Sequence, residues 1–171
     1  MKYIFLDVDG VLNNARTMAV SPEGWTGISS GLVKRLSEIA EEAHAKVILT
    51  STWKQSYTED YMYLLKKLRQ HRLDVAGKIK EPNDDLLLRG KGIKAFLSEH
   101  NCESYVILDD EVFDYKEENI FDHAVITDPK DGLTKNDVEK AIGILNGQLR
   151  SKFKQVADSI YQGAYYESIR R

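Results

Sequence analysis

The sequence predicts an α/β protein with three layers, in which helices cover both faces of a parallel β-sheet. Four short apolar runs, at residues 3–6, 47–49, 105–108 and 123–126, have the length and composition of strands that are buried on both faces. Segments with helical spacing of apolar residues lie between and after these runs. Alternating strands and helices favour a parallel sheet, because each helix returns the chain to the edge where the next strand starts.

Each predicted helix has an apolar stripe, and three of them have a clear start. Ser29 or Ser30, Thr58 and Thr134 stand where N-caps are expected, and Asp137 completes a variant of the capping box. The side chains expected to face inward are Leu32, Val33, Leu36 and Ile39 in the first helix, Met62, Leu64, Leu65 and Leu68 in the second, and Ile93, Phe96 and Leu97 in the third.

The composition excludes several classes of protein. Hydrophobic residues make up 42% of the chain and charged residues 30%, which argues against a disordered chain. The net charge of −3 argues against a surface built as a whole to hold nucleic acid or an anionic membrane. Cys102 is the only cysteine, so neither an internal disulfide nor a cysteine-rich zinc site is expected. No apolar run is long enough for a signal peptide or a membrane span, so we expect a cytoplasmic protein without a membrane partner.

We expect residues 1–146 to form this domain and residues 147–171 to form a helical extension. Apolar residues recur at steps of three or four from Val138 to Ile160, so the last helix could continue past the sheet unless Gly147 ends it. The extension carries five basic residues against two acidic ones. A helix packed on the domain is the preferred interpretation, and a surface for self-association or for nucleic acid is the alternative.

Carboxylates and hydroxyls follow the predicted strands. Asp7 and Asp9 follow the first strand, Thr50 the second, and Asp109 and Asp110 the third. Because the carboxyl ends of parallel strands meet at one edge of a sheet, these side chains are expected to converge there. Clustered carboxylates repel one another unless a cation neutralises them, and Mg²⁺ prefers such oxygen ligands. The alternative is that the acids only cap turns.

Four segments in order resemble the signatures of the haloacid dehalogenase (HAD) superfamily. Residues 7–12, Asp-Val-Asp-Gly-Val-Leu, are similar to the first signature, and Thr50 matches the second. Lys91, at the start of a helix, matches the third, and the acidic segment 109–114 matches the fourth. The resemblance covers residues 3–146 and implies a Rossmann-like α/β/α fold with a cap that is minimal or absent.

A closer similarity is to a small HAD subgroup whose members occur as domains of multi-part RNA-repair proteins. It is carried by Ser-Thr-Trp-Lys at 51–54, by Arg89 with the glycine after it, and by segments 107–110 and 127–134. This subgroup often has Arg in place of Lys54 and Glu in place of Lys91. Arg89 is therefore the alternative candidate for the role of the third signature.

The resemblance implies a Mg²⁺-dependent phosphatase. Asp7 would attack phosphorus and form an aspartyl-phosphate, and Asp9 would serve as general acid and then as general base. The ion would be held by Asp7, by the carbonyl of Asp9 and by Asp110, with Asp109 as a further candidate. An aspartate at position 9 is typical of the phosphatases of this superfamily, not of its dehalogenases or ATPases.

The same resemblance assigns the groups that bind the substrate phosphate. The Thr50 hydroxyl, together with the backbone N–H of Ser51 or Gly10, would hold a phosphoryl oxygen. Lys91 would supply positive charge to the transition state. Lys54 and Arg89 are further candidates for binding the substrate, and Asp109 and Asp114 would orient either metal-bound water or Lys91.

The spacing of the signatures indicates an open site. The interval 14–30 is the size of a flap, and the interval 54–89 has room for only one or two helices. An open site admits a phosphate on a small molecule or on a nucleic-acid end, and the subgroup similarity favours nucleotide or nucleic-acid phosphates. Two other functions are considered, namely a signalling receiver domain and a non-hydrolytic module that only binds phosphate and Mg²⁺. In receiver domains the phosphate-accepting aspartate lies on a middle strand, and the acidic pair comes at the start of the chain. In this sequence the Asp-x-Asp-Gly turn comes first, and Lys91 precedes the second acidic pair.

Overall fold

The computed structural model describes residues 1–55 and 58–147. Within them, a parallel sheet of five strands runs in the order β3-β2-β1-β4-β5. Its strands are β1 (Lys2–Leu6), β2 (Ala45–Leu49), β3 (Val75–Lys78), β4 (Ser104–Asp109) and β5 (Ala124–Ile126). The α-helices are α1 (Ser30–Ala43), α2 (Glu59–Arg69), α3 (Arg89–Glu99) and α4 (Lys135–Leu145). The predicted fold class is confirmed.

The two faces of the sheet bury different sets of side chains. Ile4 and Leu6 of β1 pack into a core with apolar residues of α1, α2 and α4. Tyr3 and Phe5 point to the other face and pack with Ile93 of α3 and with the segment that follows β4. Successive side chains of a strand alternate between faces, so β1 contributes to both cores and is covered on both sides.

The register of the sheet fixes the level at which each strand ends. Leu6 of β1 pairs with Leu49 of β2 on one side and with Leu108 of β4 on the other. The backbone N–H of Asp7 then donates to the Leu108 carbonyl at 2.9 Å, and that of Thr50 donates to the Leu6 carbonyl at 2.9 Å. The residues that follow three adjacent strands therefore lie side by side at one edge.

The predicted helix starts agree with the structure better than the predicted inward-facing residues do. Thr58 accepts from the Tyr61 N–H, and Thr134 forms the predicted capping box with Asp137. Ser29 occupies the N-cap of α1 but makes no side-chain capping bond. Met62 was expected to face inward and is instead 56% exposed, so that expectation is wrong.

The strand β3 has no counterpart among the four runs that the sequence predicts as strands. The last helix among the described residues, α4, ends at Leu145 and is followed by Gly147 with a φ of +81°. The predicted extension, residues 147–171, lies outside the described residues except for Gly147, so its structure and its role in self-association stay predictions. Among the described residues, none of the helices combines the length and the apolar character that crossing a membrane would require.

Candidate active site

Two hydrogen bonds to the backbone of Gly10 hold the turn after β1 in one conformation. Gly10 has a φ of +69°, which favours glycine, and its N–H donates to the Asn13 side chain at 2.9 Å. The Gly10 carbonyl accepts from the Thr127 hydroxyl at 2.8 Å. A Cβ at position 10 would lie 2.3 Å from Oδ2 of Asp110. The absence of a side chain at Gly10 therefore lets Asp110 approach the turn.

Three carboxylates converge at this edge. Asp7, Asp109 and Asp110 each offer an oxygen within 4.8 Å of the others'. Asp7 and Asp109 are buried and Asp110 is half-buried. Burial and the neighbouring carboxylates raise the pKa of Asp7 to about 7 and that of Asp110 to about 6. The cluster thus holds more negative charge than its protein surroundings neutralise.

Arg89 is the cation that lies inside this cluster. Its Nη1 donates to Oδ1 of Asp7 at 3.0 Å and to Oδ2 of Asp109 at 2.6 Å. The guanidinium also lies 4.0 Å from the centre of the Phe113 ring. Burial on its own would lower the pKa of Arg89, but the charges of Asp109 and Asp7 outweigh burial and raise it. Arg89 therefore remains charged and ties the end of β1 to the end of β4.

Both oxygens of Asp109 are in use. Oδ2 accepts from the Tyr115 hydroxyl at 2.6 Å as well as from Arg89, and Oδ1 accepts from the Glu111 N–H at 3.1 Å. Burial and the adjacent Asp109 raise the pKa of Tyr115, so its hydroxyl stays protonated and remains a donor. Asp109 therefore serves to position Arg89. Asp7 and Asp110 are the carboxylates with oxygens that could bind a further cation.

Asp114 and Lys91 meet through the backbone. The carboxylate of Asp114 accepts from the N–H groups of Gly90 and Lys91 and so binds the first turn of α3. The Lys91 side chain is exposed, and among the described residues it forms no ion pair. The structure brings Arg89, and not Lys91, into contact with Asp7. Residues two apart on a helix point roughly 200° apart, so only one of them can face the sheet.

The end of β2 contributes a hydroxyl and a buried lysine. Thr50 is fully buried, and its hydroxyl has no hydrogen-bond partner among the described residues, nor has Nε of Arg89. The Lys54 ammonium donates to the Thr50 carbonyl at 2.7 Å and to Oε1 of Glu81 at 2.6 Å. Burial lowers the pKa of Lys54, and Glu81 opposes that shift. The Ser51 hydroxyl accepts from a backbone N–H. Lys54 therefore fixes the turn that carries Thr50.

Asp9 lies on the exposed side of the cluster and has two partners that the sequence analysis did not identify. Oδ1 of Asp9 accepts from Nδ2 of Asn13 at 2.8 Å, and Oδ2 accepts from Nε1 of Trp53 at 2.9 Å. Asn13 is four residues downstream in the same turn, a separation that could have suggested the contact. Trp53 comes from the end of β2 and gives no such signal.

Comparison with known families identifies the family to which the chain belongs. A family model described as "HAD domain in Swiss Army Knife RNA repair proteins" matches residues 3–138. The chain belongs to this family. The resemblance inferred from the signatures is therefore confirmed, and membership supports a HAD-like phosphatase or a related module. None of the curated proteins compared with the chain matches it.

The residues of this HAD domain fit a Mg²⁺ ion, which HAD domains commonly use. Asp7 and Asp110 provide hard oxygen ligands close together. Burial and then the neighbouring carboxylates raise the pKa of both groups, and a divalent cation would favour their charged forms. Gly10 leaves room for Asp110 beside the turn. Both oxygens of Asp109 already have partners, because Oδ2 accepts from Tyr115 and Arg89 and Oδ1 accepts from the Glu111 N–H, so its role as a further metal ligand stays a prediction.

Proposed function

We propose that this HAD domain is a Mg²⁺-dependent phosphohydrolase that cleaves phosphate monoesters through an aspartyl-phosphate on Asp7. One observation carries the proposal. Beside the buried carboxylate of Asp7 lie two buried polar groups that have no hydrogen-bond partner among the described residues, the Thr50 hydroxyl and Nε of Arg89. Buried donors are nearly always hydrogen-bonded, so these two are available to the oxygens of a bound phosphate.

Asp7 is the proposed nucleophile. A carboxylate oxygen of Asp7 bonds to phosphorus while the bond from phosphorus to the leaving oxygen breaks. Arg89, which already contacts Asp7, offsets the repulsion between this carboxylate and the phosphate. Thr50 holds a phosphoryl oxygen next to it. Lys91, which is exposed, stays a candidate for a contact with substrate at the rim of the site.

Asp9 is the proposed general acid and base. It gives its proton to the leaving oxygen in the first step and takes a proton from the attacking water in the second. That water releases phosphate from Asp7 and restores the free carboxylate. Asn13 and Trp53 hold the two oxygens of Asp9 in place, so the carboxyl group is oriented before substrate binds.

Asp7 and Asp110 are the proposed ligands of Mg²⁺, with the Asp9 carbonyl assigned by the family resemblance. The ion would supply positive charge between the nucleophile and the phosphate. The substrate is a phosphorylated small molecule or a nucleic-acid end, in keeping with the open site.

A phosphatase assay tests the proposal. Purified protein should hydrolyse para-nitrophenyl phosphate with Mg²⁺ and lose this activity in EDTA. Asp7→Asn should abolish turnover and the acid-stable phosphoenzyme signal in mass spectrometry. Asp74→Asn is the matched control, because Asp74 is exposed and precedes β3 at the opposite edge of the sheet. Full activity of Asp7→Asn would refute the nucleophile, and binding of phosphate and Mg²⁺ without turnover would indicate the non-hydrolytic alternative.

A further inference from the structure

The exposed side of the site opens into a cavity of about 360 Å³. Asp9 forms one wall of this cavity together with Trp53. The opposite walls come from residues 23–26, in the loop between β1 and α1, and from the start of α2. The volume is at the lower end of the range for small-molecule sites. Because Asp9 is the proposed proton donor to the leaving oxygen, the leaving group of a bound substrate would lie in this cavity.

The loop wall of the cavity is preformed. Within the loop, the Ser21 N–H donates to the Trp25 carbonyl at 2.8 Å. The loop is attached to α2 through Asp60, which accepts from the Ser21 hydroxyl at 2.9 Å and from the Glu23 N–H at 3.0 Å. Asp60 is only 7% exposed, so these bonds are shielded from water. The loop therefore presents Trp25 from a fixed position.

Trp25 provides a large aromatic surface that the protein does not cover. It is 71% exposed and lines the cavity, whereas Trp53 on the other wall is 9% exposed and is bonded to Asp9. An exposed indole offers its faces to a planar group, and stacking on an aromatic side chain is the usual way in which proteins bind a nucleobase.

The charge of the cavity is negative. Asp9, Glu23 and Asp60 line it, and no lysine, arginine or histidine does so among the described residues. The remaining lining residues are three threonines, one glutamine and the two tryptophans. A leaving group that carries further phosphates would be repelled by these carboxylates, whereas a nucleoside would meet hydroxyl, amide and aromatic groups.

We infer that this cavity binds the leaving group of the phosphatase reaction and selects an unphosphorylated nucleoside. The substrate class is then a nucleoside monophosphate, in preference to a nucleoside diphosphate or the phosphorylated end of an oligonucleotide. Trp25 stacks on the base, and Glu23 disfavours additional phosphates. This inference rests on the proposed function, since it takes Asp9 as the group that protonates the leaving oxygen.

Binding of adenosine tests the cavity without any turnover. Ligand-observed NMR should show saturable binding to the wild-type protein, a Kd about tenfold higher for Trp25→Ala, and near-normal binding for Trp25→Phe. Met18→Ala is the matched control, because Met18 lies in the same loop, is 91% exposed and does not line the cavity. An equal loss in Trp25→Ala and Met18→Ala, or no saturable binding by the wild type, would overturn the inference.

A comparison of two substrates tests whether the negative charge of the cavity affects specificity. The wild type should have a higher kcat/KM for adenosine monophosphate than for a 5′-phosphorylated oligonucleotide. Glu23→Lys should reduce this preference about fivefold at low salt and less at high salt. Glu42→Lys, an exposed change near the end of α1, should leave the preference unaltered. A preference that Glu23→Lys does not change, or that favours the oligonucleotide from the start, contradicts the inference.

The two proposals fail in different ways. Turnover of para-nitrophenyl phosphate without saturable binding of adenosine would overturn the cavity inference and leave the proposed function standing. Absence of turnover with every phosphate monoester would overturn the proposed function and, with it, the assignment of a leaving-group site.

Discussion

The two sides of the candidate site are held in opposite ways. On the buried side, Asp7 and Asp109 share Arg89, and Tyr115 bonds to Asp109, all of them largely or fully shielded from water. On the open side, the exposed Asp9 is held by two uncharged donors and faces a cavity. Charge partners therefore fix the proposed nucleophile, and neutral hydrogen bonds fix the proposed acid.

This difference predicts which substitutions each side of the site should tolerate. Removing one partner of a buried ion pair leaves an uncompensated charge, so the buried side couples catalysis to stability. The open side lies in water, where a lost hydrogen bond is replaced at little cost. Substitutions on the open side are thus expected to alter activity and specificity while the fold persists.

Asp9→Asn should separate the effect of the open side on catalysis from its effect on stability. Asp9→Asn should lower kcat by about 10²- to 10⁴-fold, because the amide can neither give nor take the proton. Its stability should change by less than about 1 kcal/mol, since the amide oxygen can still accept one hydrogen bond at an exposed position. Steady-state kinetics and chemical denaturation measure the two quantities. An unchanged rate would remove Asp9 from the mechanism.

On the buried side, Arg89→Met should lower both kcat and the free energy of unfolding. The loss of the shared cation leaves two buried carboxylates facing each other, which should cost about 3–5 kcal/mol of unfolding free energy. Arg16→Ala is the control, because Arg16 pairs with Asp131 at 3.1 Å but its side chain is 79% exposed. That exposed pair should contribute less than about 1 kcal/mol. Equal losses in the two variants would show that the comparison between buried and exposed pairs is wrong.

Gly10 and Gly24 offer a matched pair of glycines. Both have positive φ, +69° and +92°, but a Cβ at Gly10 would strike Asp110 whereas one at Gly24 would meet nothing within 4 Å. Gly24→Ala should cost about 1 kcal/mol of backbone strain. Gly10→Ala should cost more, about 2–3 kcal/mol, and should weaken Mg²⁺ binding about tenfold because Asp110 is displaced. Calorimetric titration with Mg²⁺ would reveal a wrong assignment of Asp110 if affinity were unchanged.

A further prediction concerns the dependence of stability on pH. The pKa of Asp7 rises from 3.8 to about 7 in the folded protein, mainly through burial and then through Asp109. Between these values the folded state holds a proton that the unfolded state has lost, so stability falls as pH rises from about 4 to about 7. Mg²⁺ should therefore raise Tm more at pH 8 than at pH 5. Asp7→Asn should weaken this dependence and leave the part that comes from Asp110, whose pKa is raised to about 6. A Tm that rises over this range would contradict the sign.

The strands were predictable where their side chains are all apolar, and not elsewhere. The β1, β2 and β4 runs are buried on both faces, so their composition alone identifies them. The edge strand β3, with the sequence Val-Ala-Gly-Lys, is half-buried and exposed in alternation and contains a glycine, which weakens the strand signal. Met62 fits the helical spacing of α2. The apolar face of this helix is wider than the surface that packs on the core, so Met62 at its margin is exposed to water.

The carboxylates of the site were predictable because they follow strands, but their partners were not. Asp7 and Asp110 come directly after apolar runs, and the parallel topology brings them together. Whether Arg89 or Lys91 faces the sheet depends on where α3 begins within a turn, which composition does not determine. Tyr115 reaches Asp109 from an irregular loop, and such loops have no periodicity from which to infer a contact.

The position of β1 has a consequence for how the protein is made. β1 precedes the other four described strands in the chain and is synthesised before them, yet it lies in the middle of the sheet and gains its second neighbour only when residues 104–109 have been synthesised. A nascent or truncated chain that stops before β4 leaves a row of unpaired backbone groups along an apolar strand, a template for aggregation. We therefore expect such fragments to precipitate instead of retaining partial activity, so deletions intended to map the domain should preserve residues 104–109.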